Sequence, residues 1–273
     1  MQSFLDLKYN FLRPLKFQNL KRYGKKGDGG YICDSNIIKN TNILISFGMG
    51  PDWSFELDCI NENSKVQIHM YDHTVSSKPY IKDVLKYFRR FITFRTKISS
   101  LIDRLKYLKN YLSFFKIKNV KFFAEKITNL IETQRDANID KVFTRIDSIN
   151  STKEKSVILK CDIEGSEFII INDIVKYSDR IDALIVEFHS LDQNEEIFLT
   201  SIKKLQNFFT IAHIHGNNHC GKTKTGLPIM FEITLINNKY IPEKKEFIYS
   251  FPVEKLDSPN NPTKKDISFN FQT

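Results

Sequence analysis

The sequence predicts a doubly wound α/β fold, built on a seven-stranded, mostly parallel sheet whose last strand is antiparallel. Two observations carry this. Seven short apolar runs alternate with segments of helical periodicity, as they do where helices cover both faces of a parallel sheet. The last two runs are separated only by GNNHCGKTKTG (216–226), too short for a crossover helix, so the seventh strand returns beside the sixth in the opposite sense. A chain of 273 residues suits one domain with a sizeable core. It is read as 1–273, with a lead-in (1–41), an insertion (78–118) and a C-terminal extension (237–273).

The elements follow in order. Residues 1–41 read as irregular and partly helical, ending in the turn-rich GKKGDGGY (Gly24–Tyr31). NILISFGMG (Asn42–Gly50) is a buried strand running into glycines. KVQIHMYDHT (Lys65–Thr74) alternates Val66, Ile68 and Met70 with polar partners and reaches Asp72. NVKFFAEKI (Asn119–Ile127) is the third strand, and SVILKCDIEGSE (Ser156–Glu167) the fourth, followed by a helix over Ser166–Tyr177. DALIVEFHSL (Asp182–Leu191) is the fifth, with a helix near 194–208 after it. TIAHIHGNN (Thr210–Asn218) and IMFEITLI (Ile229–Ile236) are the sixth and seventh. The tail from Asn237 is polar, carries Pro242, Pro252, Pro259 and Pro262, and reads as an irregular extension.

The charge is uneven. The chain holds 41 Lys+Arg against 32 Asp+Glu, a formal net charge of +9. Residues 78–121 alone carry thirteen basic and two acidic residues, so the rest of the chain is slightly acidic. A nucleic-acid-binding fold would spread that charge over its own surface, and no nucleic-acid partner is expected. Within the segment, Ile98, Leu101, Leu105, Leu108, Leu112 and Phe115 step 3, 4, 3, 4, 3, which places them on one helix face. Strands two and three are therefore joined by an elongated helical insertion. Three uses stay open: a packed helix with a solvated basic face, a lid or homodimer surface that attracts anionic substrate, or a membrane-surface element.

Composition sets further bounds. Hydrophobic residues at 41% and charged residues at 27% are globular values, which excludes a disordered or collagen-like chain. No run of about 18 apolar residues occurs, so no transmembrane segment is expected. The opening MQSFLDLKYNFLRPL mixes charges among its apolar positions and makes a poor secretory signal. Cys33, Cys59, Cys161 and Cys220 form no CxxC pair and read as reduced thiols in a cytoplasmic protein.

Two constellations carry chemistry. Gly48 and Gly50 follow the first strand, where missing side chains let the backbone approach a ligand, and Asp72 closes the next strand, where an acid receives ribose hydroxyls. The dinucleotide fingerprint would need glycine at position 53, where Trp53 stands. The second constellation gathers at the carboxyl ends of strands four to six, where open α/β sheets bind ligands. It comprises Asp162, Glu164, Glu187 and His189, with His213, His215 and His219 beside them. Glu187 and His189 share one strand face, and so do His213 and His215. Asp162, Glu187 and a histidine, His215 foremost, form a candidate site for Mg²⁺ or Mn²⁺. A metal-free catalytic cluster is the alternative, and a zinc site on His213, His215, His219 and Cys220 a weaker one. His69, inside a strand, reads as a core histidine.

Seven strands ending in such a hairpin outline the class I methyltransferase fold. ISFGMGPDWSFE (Ile45–Glu56), LKCDIEGSE (Leu159–Glu167), VEFH (Val186–His189) and HIHGNN (His213–Asn218) together resemble the FkbM family of S-adenosylmethionine-dependent methyltransferases. DGGY (Asp28–Tyr31) and LDSPNNP (Leu256–Pro262) are similar to the subset found in bacterial capsular polysaccharide clusters. The resemblance spans roughly 24–271 except the 78–118 insertion, which departs from the usual pattern. It implies a Rossmann-like fold, S-adenosyl-L-methionine as cofactor and O-methylation of small molecules or sugars. By position, Asp28, Tyr31, Gly48, Gly50, Ser54, Phe55 and Glu56 would surround the cofactor, with Asp72 and His73 at its ribose. Asp162, Glu187 and the strand-six histidine would face the acceptor.

A sugar hydroxyl must lose its proton as it attacks the methyl group, so a base or a metal is required. His189 or His215 is the candidate base, with Asp162 and Glu187 holding the acceptor or a divalent ion. The expected acceptor is a nucleotide-activated sugar, such as a heptose, whose diphosphate would complement the basic insertion. Two rivals stand beside this reading. A nicotinamide-dependent oxidoreductase of a nucleotide sugar would also want the glycine turn and Asp72. A non-enzymatic nucleic-acid binder would use 78–121 but leaves the acid–histidine cluster unexplained.

Overall fold

The computed structural model describes residues 4–149 and 156–272, so the first three residues of the lead-in fall outside it. The central sheet has seven strands: β1 Ile43–Phe47, β2 Gln67–Tyr71, β3 Val120–Phe123, β4 Val157–Cys161, β5 Ile181–Phe188, β6 Phe209–Gly216 and β7 Phe231–Asn237. Their order across the sheet is β6-β7-β5-β4-β1-β2-β3. β1 to β5 pair in parallel, while β7 inserts antiparallel between β5 and β6. This order is the Rossmann-like, class I methyltransferase arrangement, and the short β6–β7 connection accounts for its antiparallel pair.

Alternation along the strands feeds two cores. Ile43, Ile45 and Phe47 of β1, with Leu159 of β4 and Val186 of β5, face one side. There they meet α5 (Ile139–Ile149), α6 (Glu167–Val175) and α7 (Leu191–Leu205) through Val142, Ile170 and Phe198. Leu44, Ile158 and Ile185 face the other side, against Ile37 and Ile38 of α1 (Ser35–Asn40) and Phe55 and Cys59 of α2 (Ser54–Glu62). Period-2 strands buried on both faces explain why they read as continuous apolar runs.

Two regions differ from expectation. The lead-in is not merely irregular: Leu20–Tyr23 pairs antiparallel with Tyr31–Asp34, and GKKGDGGY forms most of the second strand's approach. This hairpin lies over the second face, where Thr234 Oγ1 of β7 donates to the Ile32 carbonyl at 2.6 Å. The insertion is two helices, α3 (Lys78–Ile92) and α4 (Ile98–Phe114), packed on each other. Of the apolar α4 face read from the sequence, Leu101 is buried, whereas Ile98, Leu105 and Leu112 are exposed. Tyr111 and Phe114 are the buried residues at its base, packed on Trp53 at 5.7 and 5.8 Å between ring centroids.

The polar tail packs on the domain as an irregular extension, as expected. Ser250–Phe251 pairs with Phe269–Asn270, Asn260 Nδ2 donates to Glu232 Oε1 at 2.6 Å, and Asp257 pairs with His213 at 3.1 Å. All four cysteines are free thiols. No helix among the described residues is long and apolar enough to cross a membrane.

Candidate active site

The carboxyl ends of β1, β2 and β4 converge on two adjoining cavities of about 210 and 140 Å³, which share Gly48, Asp72, Thr74, Asp162 and Glu164. Gly48 makes the convergence possible. It has φ +71°, and a Cβ there would stand 1.6 Å from the Asp162 carbonyl oxygen, so the β1 and β4 turns touch through bare backbone. Gly50 also has a positive φ, but nothing lies within 4 Å of where its Cβ would be, and that open side faces the larger cavity.

Asp72 follows β2 and stands beside this turn. Its Oδ2 accepts from Gly50 N–H at 3.0 Å, and its Oδ1 accepts from Thr74 N–H and hydroxyl at 2.7 and 2.6 Å. Burial alone would favour the neutral acid, yet these donors hold the carboxyl below its ordinary range. Oδ2 keeps a lone pair for a ligand hydroxyl. His73 is exposed on the rim of the smaller cavity. Glu56 and Phe55 line the larger cavity, Glu56 accepting from Ser46 Oγ at 2.5 Å. Ser54 is turned away: its Oγ accepts from Lys25 N–H at 2.9 Å. Asp28 lies at the cavity's edge beside Asn260 of the tail.

At the β4 and β5 ends the groups are packed more tightly. Tyr31, delivered by the N-terminal hairpin, donates to Asp162 Oδ2 at 2.8 Å and lies 3.5 Å from Glu187 Oε2. Burial pushes the Asp162 carboxyl up, and burial together with Glu232 and Asp162 pushes Glu187 well up, toward its protonated form. Asn217 Nδ2 donates to Glu187 Oε1 at 2.7 Å. His189 Nδ1–H donates to Glu167 Oε1 at 2.8 Å, which aims Nε2 at Asp162 Oδ1 (3.8 Å) and Glu164 Oε2 (3.6 Å). Burial favours the neutral ring, but Glu167, then Glu187 and Asp162, raise His189 to about 9. Glu164 holds a left-handed φ of +55°, a conformation costing about 1–3 kcal/mol in a non-glycine residue.

Among the described residues, Asp162, Glu164 and His189 are the group whose ligand atoms lie close enough, within 4.8 Å of one another, to share an ion. Their oxygen and nitrogen donors suit Mg²⁺ or Mn²⁺, and Glu167 supplies the outer partner that orients a ligating imidazole. The trio Asp162, Glu187 and His215 is not assembled. His215 is 1% exposed, with Nδ1 at 3.3 Å from Glu232 Oε2 and Nε2 at 3.1 Å from Asp266 Oδ1. Burial opposes its charge, yet Asp266 and Glu232 raise its pKa to about 10, and neither nitrogen is left for a proton or a metal. The four residues of the zinc alternative are not gathered either: His213 is paired with Asp257, and His219 and Cys220 are exposed. His69 is buried against the Phe123 ring.

No family model matches the sequence, and no curated protein does. Solved structures similar to this chain include the precorrin-6y C5,15-methyltransferase of Geobacter metallireducens GS-15, at 12% identity and TM-score 0.38, over 74% of this chain and 83% of that one. Another is the fibrillarin pre-rRNA processing protein of Methanococcus jannaschii, at 9% identity and TM-score 0.40, over 82% and 97%. The strand order, not these likenesses, carries the fold assignment.

Sequence reading missed two members of the site. Lys160, 3% exposed, donates from Nζ to the Gly48 carbonyl at 2.8 Å and lies 5.0 Å from the centre of the Tyr31 ring. A lysine inside the apolar run VILKC was the available signal, because such a charge is buried only when partnered. Glu167, fully buried at the start of α6, was visible only as the last letter of DIEGSE.

Proposed function

We propose that this chain is an S-adenosylmethionine-dependent O-methyltransferase whose acceptor is a sugar hydroxyl, carried on a nucleotide-activated sugar such as a heptose for a surface polysaccharide. One observation carries the reading. The Gly48–Gly50 turn and Asp72 line one cavity together with Asp162 and Glu164, and His189 Nε2 stands 3.8 Å behind Asp162 Oδ1. A donor held at the turn and an acceptor held at the cluster would then meet across Asp162.

Methyl transfer breaks the sulfonium C–S bond as the acceptor oxygen attacks in line, so positioning supplies much of the rate. Tyr31 and Lys160 hold Asp162 and the turn in place, and Asp162 orients the acceptor hydroxyl. His189 Nε2 takes the proton. Because its pKa is about 9, the neutral base is a minor species at pH 7 and the reaction accelerates as pH rises toward that value. A divalent cation held by Asp162, Glu164 and His189 would occupy Nε2 in place of that proton and would instead lower the pKa of the acceptor hydroxyl. Lys25, Lys126 and Lys160 line the cavities and suit an anionic acceptor. No Lys or Arg of 78–118 lines either cavity among the described residues, so the cavity lysines are the nearer cations for a bound diphosphate.

Mass spectrometry of nucleotide sugars incubated with S-adenosylmethionine tests the reading through a one-methylene mass gain. Thermal-shift titration separates the rival: stabilisation by S-adenosylmethionine is expected, and stabilisation by NAD instead would replace the transferase with an oxidoreductase.

A further inference from the structure

The insertion exposes an apolar face that nothing in the fold covers. Ten of the twenty large apolar side chains exposed among the described residues belong to α3, α4 and their turn. α3 buries none of its residues, although Ile81, Leu85, Phe88 and Ile92 step 4, 3, 4 along one side. On α4, Ile98, Ile102, Leu105 and Leu112 form the matching stripe.

The two stripes lie on the same side of the hairpin. α3 meets α4 through Tyr80 and Tyr87, in contact with Tyr111 and Arg104 respectively, a descending register that makes the helices antiparallel. The α3 stripe starts one residue beyond its contact residues Tyr80 and Tyr87, and the exposed Leu105 and Leu112 lie one beyond their α4 partners Arg104 and Tyr111. A one-residue advance turns about 100° around a helix. In antiparallel neighbours that rotation carries both stripes to one common face. At the tip, Phe94 is 97% exposed, flanked by Arg89, Arg90, Arg95 and Lys97. The hairpin 78–114 carries ten basic and two acidic residues.

We propose that this hairpin docks the protein on an anionic phospholipid bilayer, with Phe94 and the paired stripes entering the headgroup region and the lysines and arginines pairing with lipid phosphates. An apolar face bordered by cations, left uncovered by the rest of the described fold, is the pattern of an interfacial membrane element. A second copy of the chain fits less well, because it would bring two strongly basic hairpins face to face. Nucleic acid would use the arginines and lysines but leave the aliphatic stripe in water. At its base the hairpin packs through Tyr107, Tyr111 and Phe114 on Trp53, beside the Gly48–Gly50 turn, so a docked hairpin would hold the cavity mouth near the lipid surface.

Vesicle co-sedimentation of the full chain tests this. Vesicles of phosphatidylcholine with phosphatidylglycerol should bind it, phosphatidylcholine alone should not, and added salt should weaken binding. Phe94→Glu and the pair Arg89→Glu/Arg90→Glu should each cut binding roughly tenfold or more. Their exposure predicts unchanged thermal unfolding, which should be measured beside the binding. Absence of binding to the anionic vesicles at low salt overturns the proposal, as does binding that Phe94→Glu leaves intact. Dimerisation in sedimentation velocity that Phe94→Glu abolishes, without vesicle binding, would assign the face to a second copy. Oligonucleotide binding that survives Phe94→Glu, again without vesicle binding, would assign the charge to nucleic acid.

Discussion

Glu167 Oε1 lies 2.8 Å from His189 Nδ1, and Glu167 is fully buried. The carboxylate fixes which way the imidazole points and holds its proton, so the basicity of His189 is set from α6. Glu167→Gln keeps the hydrogen-bonding shape and removes the charge. The His189 pKa should fall from about 9 toward the ordinary value, and the acidic limb of the kcat–pH profile should move to lower pH with it. A profile that does not move would show that Glu167 only packs.

His189→Ala should lower kcat by about 10²–10⁴-fold, the usual contribution of a general base, while S-adenosylmethionine affinity changes little. Isothermal titration and steady-state kinetics on the same preparation separate the two effects. Retention of wild-type kcat would remove His189 from the chemistry.

His215 should behave in the opposite way. Its ring is clamped between the buried Glu232 and the partly buried Asp266, so truncation to alanine strands both carboxylates and should cost about 3 kcal/mol of stability. Its folded pKa of about 10 lies above the ordinary 6.5, so its contribution is complete below pH 6.5 and is lost as pH rises through 10. Unfolding midpoints measured from pH 6.5 to 10 should fall in the wild type, and less steeply in His215→Ala.

Gly48 and Gly50 should respond differently to alanine. At Gly48 the new methyl meets the Asp162 carbonyl, and no flexible side chain can yield, so loss of the folded state or a large drop in unfolding temperature is expected. At Gly50 the methyl enters open space and costs only the left-handed strain of about 1–2 kcal/mol. Gly50→Ala should therefore fold and lose ligand affinity, seen by circular dichroism and titration together.

The contrast between these residues shows what was legible. Strands buried on both faces announce themselves as apolar runs, and the length of 216–226 alone decides that β7 is antiparallel to β6. Gly48, Asp72, Asp162 and His189 could be placed because strand ends in such sheets meet at one edge. The partners of the histidines could not. Asp266 reaches His215 from a tail fifty-one residues onward, and the Tyr31 hydroxyl reaches Asp162 from a hairpin 131 residues earlier. The short strand Leu20–Tyr23, with Lys21 and Arg22 in it, shows no alternation, because it pairs only with Tyr31–Asp34. The α4 face was misjudged for a similar reason: helical period shows which residues align, while the choice of buried side belongs to Trp53, more than forty residues away.

Trp53 ties the insertion to the glycine turn, and that gives the last prediction. It is 8% exposed, stacks on Phe114 at 25° between planes, and meets Tyr107 and Tyr111 edgewise or tilted. Trp53→Ala deletes the aromatic anchor and should cost about 3–5 kcal/mol. The loss should be local, because α3 buries nothing in the main core. Hydrogen exchange should accelerate in α3 and α4 while β4 and β5 stay protected. S-adenosylmethionine affinity should fall too, since Trp53 directly precedes α2 and follows the turn by three residues. Trp53→Phe, which keeps a ring at the same place, should recover most of both. If Trp53→Ala left exchange in the hairpin unchanged, α3 and α4 would have to be held by contacts other than this aromatic cluster.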